Sequence, residues 1–165
     1  MKMSVIVASK HGSTAEIGRA VAARLVAAGH EVEVRTPADV RDLDGVDAVV
    51  LGSGVYAGRW IKEARDLISR LGSELSTRPV WLFSSGPLGD PLKPAEDPLD
   101  AAGAVAATHA REHRVFPGRI DKDSLSFGER AIVRAVHATV GDFRDWPAVT
   151  AWADSIDAQL VEHGA

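Results

Sequence analysis

The sequence contains no cysteine among its 165 residues. This absence excludes disulfides, cysteine-bound zinc, iron–sulfur clusters and thiol catalysis. No apolar run approaches the roughly 18 residues of a membrane-spanning helix, and the run 5–8 is too short for the core of a secretory signal. The net charge of −4 provides no general attraction to nucleic acid. We therefore expect a cytoplasmic protein without a nucleic-acid partner, whose redox chemistry, if any, needs a bound cofactor.

Several catalytic signatures are also missing. No Gly-x-Gly-x-x-Gly or Walker A sequence follows any apolar run, and no His-Glu-x-x-His motif or Ser-His-Asp constellation is recognisable. No pair of carboxylates is spaced for acid–base work. The sequence therefore predicts neither a metal site nor catalytic side chains of its own, and chemistry would belong to a cofactor.

The apolar pattern alternates between short buried strands and amphipathic helices. Continuous or alternating apolar runs predict five strands near residues 5–8, 31–35, 48–51, 80–83 and 114–116. Helical stripes lie between them, and a last helix begins near Asp145. This alternation predicts an α/β fold, a three-layer αβα sandwich around a parallel sheet. We expect one domain over residues 1–165, with an insertion at about 119–144 before the last helix.

The loop after the first strand is the most informative segment. It places hydroxyls and backbone N–H groups at the positive end of a helix, a ready site for a phosphate dianion. Its candidate ligands are Ser9, Lys10, His11, Gly12, Ser13 and Thr14. A ligand-free alternative is a capping box of Ser13 with Glu16; Lys10 and His11 would then face water. The pattern Ser9-x-x-Gly12-Ser13-Thr14 resembles the phosphate loop of flavodoxins, which bind flavin mononucleotide (FMN), and this favours the sheet order 2-1-3-4-5.

The loop after the third strand is predicted to approach the flavin ring. Glycines there permit close backbone approach, and two aromatic rings are available for stacking. The candidate contacts are Ser53, Gly54, Val55, Tyr56, Ala57, Gly58 and Trp60. An alternative for Trp60 is packing beneath the helix that follows it.

The loop after the fourth strand is predicted to bind the pyrimidine edge of the flavin through small polar groups. Its candidate contacts are Ser84, Ser85, Gly86, Pro87, Leu88 and Gly89. It lacks the aromatic residue that flavodoxins usually carry there. An ordinary connecting loop is the alternative, and for the prolines that follow we favour it.

Two further segments resemble one branch of the flavodoxin-like proteins. The stretch Gly52–Trp60 and the motif Asp145-Trp146-x-x-Val149-x-x-Trp152-Ala153 are similar to the menaquinone-dependent protoporphyrinogen dehydrogenase family, and the likeness covers nearly the whole chain. The resemblance implies an FMN-dependent oxidoreductase of heme biosynthesis that takes electrons from protoporphyrinogen IX and passes them to a quinone. Its partners would be these small molecules, and peripheral membrane contact is one interpretation of the insertion.

Other interpretations remain open at this stage. The chain could be a one-electron carrier between redox proteins, although carriers of this kind are usually strongly acidic around the flavin. It could also be an interaction domain without flavin. In the insertion, Ile132, Val136 and Val140 form an apolar stripe, which suits a quinone- or membrane-facing helix or, as we favour, a helix packed on the core. Four histidines at element ends are interpreted as surface residues: His30, His109, His113 and His163. The oligomeric state is left open.

Overall fold

The computed structural model describes residues 1–86, 97–121, 123, 125–135 and 140–164. Within them, helices separate most of the strands as the apolar pattern predicts, although only a 3₁₀ turn at Pro37–Asp39 lies between the second and third strands. The strands are β1 (Lys2–Ala8), β2 (Glu31–Arg35), β3 (Ala48–Tyr56), β4 (Arg59–Trp60), β5 (Val80–Ser85), β6 (Glu112–Phe116), β7 (Arg119–Ile120) and β8 (Gly141–Asp142). The helices are α1 (Ser13–Ala27), α2 (Lys62–Leu75), α3 (Ala101–Thr108), α4 (Phe127–Ala135) and α5 (Trp146–His163).

Five strands form a parallel sheet in the order β2-β1-β3-β5-β6. Val5 of β1 lies opposite Val50 of β3, and Gly52 of β3 lies opposite Phe83 of β5. Counted along the chain without the short β4, this is the order 2-1-3-4-5, so the predicted fold class is confirmed. The order reverses at β1 and β3, which leaves a crevice beyond their carboxyl ends.

Two apolar clusters cover the two faces of the sheet. On one face α1 and α5 pack over β1, β3 and β5, where Phe83, Phe116 and Trp152 meet edge to face at centroid distances of 5.4–6.1 Å. On the other face α2 and α3 bury Leu67 and Ala104 against the sheet. This confirms three layers, and continuous burial on both faces explains the unbroken apolar runs of the central strands.

Strand β3 is longer than predicted. It continues from Ala48 through Tyr56, and its end pairs antiparallel with β4, so Val55 lies opposite Trp60. The sequence predicted a loop from Gly52 because glycines usually interrupt strands. Here Gly52 continues β3 because the Phe83 ring fills the space where its side chain would lie. The predicted second loop is therefore mostly a β-hairpin.

The insertion contains β7, α4 and β8. β7 and β8 form a separate antiparallel pair in which Arg119 lies opposite Asp142. Helix α4 has no buried residue, so our preferred prediction of a helix packed on the core is wrong. Val136 lies outside the described residues, and Ile132 and Val140 are exposed.

Candidate functional site

Residues from all three predicted loops lie around one cavity beyond the carboxyl ends of β1, β3 and β5. The cavity has a volume of about 280 Å³. Eleven of the predicted site residues line it: Ser9, Lys10, His11, Ser13, Thr14, Gly54, Val55, Tyr56, Ala57, Ser85 and Gly86. Parallel strands bring their carboxyl ends to one edge of the sheet, which is why segments so distant in sequence meet here.

The first loop is held in shape by its own hydroxyl group. Ser9 Oγ accepts a hydrogen bond from the backbone N–H of Gly12 at 3.1 Å. Gly12 is the N-cap of α1 with φ of 86°, a left-handed conformation that favours glycine. The loop thus turns directly into α1, and the first amides of the helix, which have no intrahelical partner, face outward at its positive end.

The hydroxyl of Ser13 is buried at the start of α1. Its Oγ is inaccessible to solvent and has no hydrogen-bond partner among the described residues. The capping box that we considered for Ser13 and Glu16 is wrong, because no side chain that the structure describes caps α1 and Glu16 pairs with Arg144 instead. A buried hydroxyl left unsatisfied costs about 1–3 kcal/mol. The capping-box explanation of Ser13 therefore fails.

Lys10 and His11 contact a residue of the insertion. Lys10 Nζ lies 2.9 Å from Glu129 Oε1. His11 Nε2 lies 2.7 Å from Glu129 Oε2, although not at the angle of a hydrogen bond. Both side chains therefore contact Glu129 rather than extending freely into water, and the charge of Lys10 is already paired with this carboxylate. The hydrogen bond from Lys10 holds the pKa of the Glu129 carboxyl below its ordinary value.

The hairpin between β3 and β4 carries Tyr56 beside the cavity. Its two turn residues, Ala57 and Gly58, have φ of 49° and 77°, the pattern of a tight type I′ turn. The carbonyl of Gly58 accepts the N–H of Leu99 at 2.9 Å, which anchors the turn. Tyr56 remains 42% exposed, and partial burial followed by the charge of Glu129 raises its pKa to about 12.

Three predicted contacts, Trp60, Ser84 and Ser53, are buried and do not line this cavity. Trp60 is buried and donates its indole N–H to Ser84 Oγ at 2.7 Å. Ser53 is buried and binds backbone groups of Gly54 and Ile61. These side chains stabilise the hairpin and the sheet, so their prediction as lining residues needs correction. For Trp60 the packing alternative describes what the structure shows.

Two histidines interpreted as surface residues have specific partners. His113 Nε2 lies 2.7 Å from Ser84 Oγ, and burial lowers its pKa. Because Ser84 accepts the hydrogen of Trp60, its own hydroxyl hydrogen is free to point at an unprotonated His113 nitrogen. His30 Nε2 lies 2.7 Å from Asp157 Oδ1. The sequence could not show these contacts because the partners are 29 and 127 residues away.

The third loop is only partly described. Ser85 and Gly86 line the cavity, and the N–H of Gly86 donates to the carbonyl of Phe116 at 3.2 Å. The predicted contacts Pro87, Leu88 and Gly89 lie outside the described residues. Gly118 packs against the backbone of Gly86, where an added Cβ would come within 3.2 Å, so the insertion begins directly at this loop.

The insertion supplies an outer wall of the cavity that the sequence did not predict. Its lining residues are Gly118, Arg119, Ile120, Asp121, Leu125, Glu129, Ile132 and Val133. Its apolar spacing indicated a helix, but nothing in that spacing shows which surface the helix covers. At the end of the insertion, Arg144 is buried. It pairs with the carboxylates of Glu16 and Asp142 and lies over the ring of Trp146.

Comparisons with known proteins agree with this architecture. An archaeal flavodoxin is 18% identical, with a TM-score of 0.59 over 83% of this chain and 99% of its own. A flavodoxin variant from Pseudomonas aeruginosa is 16% identical, with a TM-score of 0.59 over 93% of this chain and 97% of its own. The rubredoxin oxygen:oxidoreductase of Desulfovibrio gigas is 12% identical, with a TM-score of 0.68 over 99% of this chain and 37% of its own.

At these identities the structural similarities show the fold. No curated protein sequence matches the chain. Among the residues described, no helix has both the length and the apolar character to span a membrane. The sequence profile of the flavodoxin domain matches residues 4–145. The chain therefore belongs to the flavodoxin-domain family.

Proposed function

We propose that this protein binds FMN in the cavity described above and acts as a redox protein. The observation that carries the proposal is the buried hydroxyl of Ser13, which has no hydrogen-bond partner in the part of the chain that the structure describes. It lies in the first turn of α1, where free amides also point outward. A phosphate dianion would accept hydrogen bonds from all of these groups, and each bond to a charged acceptor contributes about 1.5–3 kcal/mol. Neither water-facing side chains nor a helix cap explains the same arrangement.

The remaining lining residues suit the rest of the nucleotide. Gly54 lies beside Thr14, and a Cβ there would approach Thr14 Oγ1 to 3.2 Å, so a side chain would narrow the space between the first and second loops. Tyr56 offers an aromatic ring at the cavity edge. Ser85 and Gly86 add small polar groups to the same lining. These residues would hold the ring, and the flavin would supply the electron-accepting chemistry.

We further propose that the chain is an oxidoreductase resembling protoporphyrinogen dehydrogenase, with a quinone as electron acceptor. The support is the outer wall of the cavity, where Ile120, Leu125, Ile132 and Val133 present apolar side chains. Phe127 is 90% exposed on the same helix as Ile132. An apolar wall excludes water beside a reacting ring, and exposed apolar groups nearby suit a hydrophobic quinone at a membrane surface.

A one-electron carrier is the second candidate. The exposure of Tyr56 favours it, because a redox protein docking on the hairpin would reach the rim of the cavity directly. The cavity lining carries Lys10 and Arg119 beside Asp121 and Glu129, which differs from the strongly acidic rim expected of a carrier with basic partners.

One series of measurements tests these proposals. The untreated protein should show a flavin absorption spectrum, and denaturation should release FMN. Under anaerobic conditions, protoporphyrinogen should reduce the bound flavin rapidly, and menaquinone should reoxidise it. Slow reduction by the porphyrinogen but rapid reduction by a ferredoxin reductase would select the carrier. A protein that binds no flavin, even when refolded with excess FMN, would contradict both.

A further inference from the structure

Glu129 makes the contact that joins α4 to the first loop. Helix α4 is exposed along its length, and among its described residues only Glu129 and Val133 are half-buried. The carboxylate of Glu129 lies within 3 Å of both Lys10 Nζ and His11 Nε2. Its side chain is only 20% exposed. One carboxylate of the insertion therefore pairs with Lys10 and contacts His11, both in the loop proposed to hold phosphate.

The negative charge of Glu129 changes the electrostatic interactions that a phosphate would make in the cavity. Lys10, His11, Ser13 and Glu129 line the same cavity. A phosphate entering it would compete with the carboxylate for the ammonium group of Lys10 and would also be repelled by that carboxylate. In a partly buried cavity, such interactions between charges are screened less than in water. The positive charge of Lys10 is thus already paired with Glu129 before any ligand binds.

We infer that Glu129 is a specificity-determining residue, an internal counter-ion that weakens binding of a flavin bearing a phosphate relative to the same flavin without one. This inference rests on the proposed FMN site. At Lys10, binding of FMN replaces one anion with another rather than adding an ion pair. Riboflavin carries no phosphate, so it enters without displacing the carboxylate and experiences no such repulsion.

The test compares the two flavins on Glu129→Gln. Glutamine has nearly the shape of glutamate without its charge. Titrations of the apoprotein, followed by quenching of flavin fluorescence, should show FMN bound about tenfold more tightly by this variant and riboflavin bound equally well. The gain should shrink as the salt concentration rises. The matched control is Glu162→Gln, which removes the same charge from an exposed position of α5 and should leave both affinities unchanged.

Other outcomes would overturn the inference. An unchanged ratio of FMN to riboflavin affinity in Glu129→Gln would show that the carboxylate does not oppose the phosphate. Weaker FMN binding would show that Glu129 instead closes α4 over the bound cofactor. An equal gain in Glu162→Gln would assign the effect to net charge. If the unmodified protein binds neither flavin, the proposed function itself fails, which is a different result from an unchanged ratio.

Discussion

Replacing Ser13 with alanine should have opposite effects on the free protein and on cofactor binding. Without ligand, Ser13 Oγ is buried and has no partner among the described residues. Removing such a hydroxyl relieves a desolvation penalty of about 1–3 kcal/mol. We therefore expect the apoprotein of Ser13→Ala to be as stable as the unmodified apoprotein, or more stable by up to that amount, in urea unfolding followed by circular dichroism.

FMN binding should weaken in the same variant. The lost hydrogen bond to a charged phosphate is worth about 1.5–3 kcal/mol, which corresponds to an affinity lower by about 10- to 150-fold. Fluorescence titration with FMN measures this change. Riboflavin provides an internal comparison, because its affinity should not depend on a group that contacts only the phosphate.

Ser4 provides the matched control. Its hydroxyl is also buried and has no hydrogen-bond partner within the described ranges of the chain, but Ser4 lies within β1 and does not line the cavity. Ser4→Ala should therefore change the stability of the apoprotein in the same direction and leave the FMN affinity unaltered. The reasoning is refuted if Ser13→Ala destabilises the apoprotein and binds FMN normally, because the hydroxyl would then have an internal role.

Further predictions concern the groups around the site. Burial lowers the pKa of His113, so the folded protein favours the neutral ring. The free energy of unfolding should therefore fall as the pH decreases below about 6.5. Urea unfolding measured at several pH values should show a flatter pH dependence for His113→Gln. Gly52→Ala should destabilise the protein by at least about 1–3 kcal/mol, because the new Cβ would lie 2.1 Å from the Phe83 ring; a melting temperature equal to that of the unmodified protein would contradict this packing. Tyr56→Ala should shift the redox potential of bound FMN, measured by anaerobic dye titration, since the ring that lines the cavity is lost; an unaltered potential would mean that Tyr56 does not cover the flavin.

The sequence alone predicts the layered fold and the edge of the sheet at which the candidate site lies. Apolar runs such as Val49–Leu51 are buried on both faces, and such runs, alternating with amphipathic helices, are typical of a parallel sheet covered by helices. The helix stripe of Val149, Trp152 and Ile156 likewise matches the buried face of α5. These features depend on local periodicity and burial, which a sequence records directly.

Only the tertiary structure decided which side chains face the cavity. Gly52 continues a strand because Phe83, 31 positions later in the sequence, fills the space beside it. Trp60 faces the core because Ser84 accepts its indole hydrogen, and Glu129 reaches Lys10 across 119 positions of sequence. Such contacts join residues that no periodic pattern relates, so they exist only once the strands have been ordered and the insertion has been placed against the first loop.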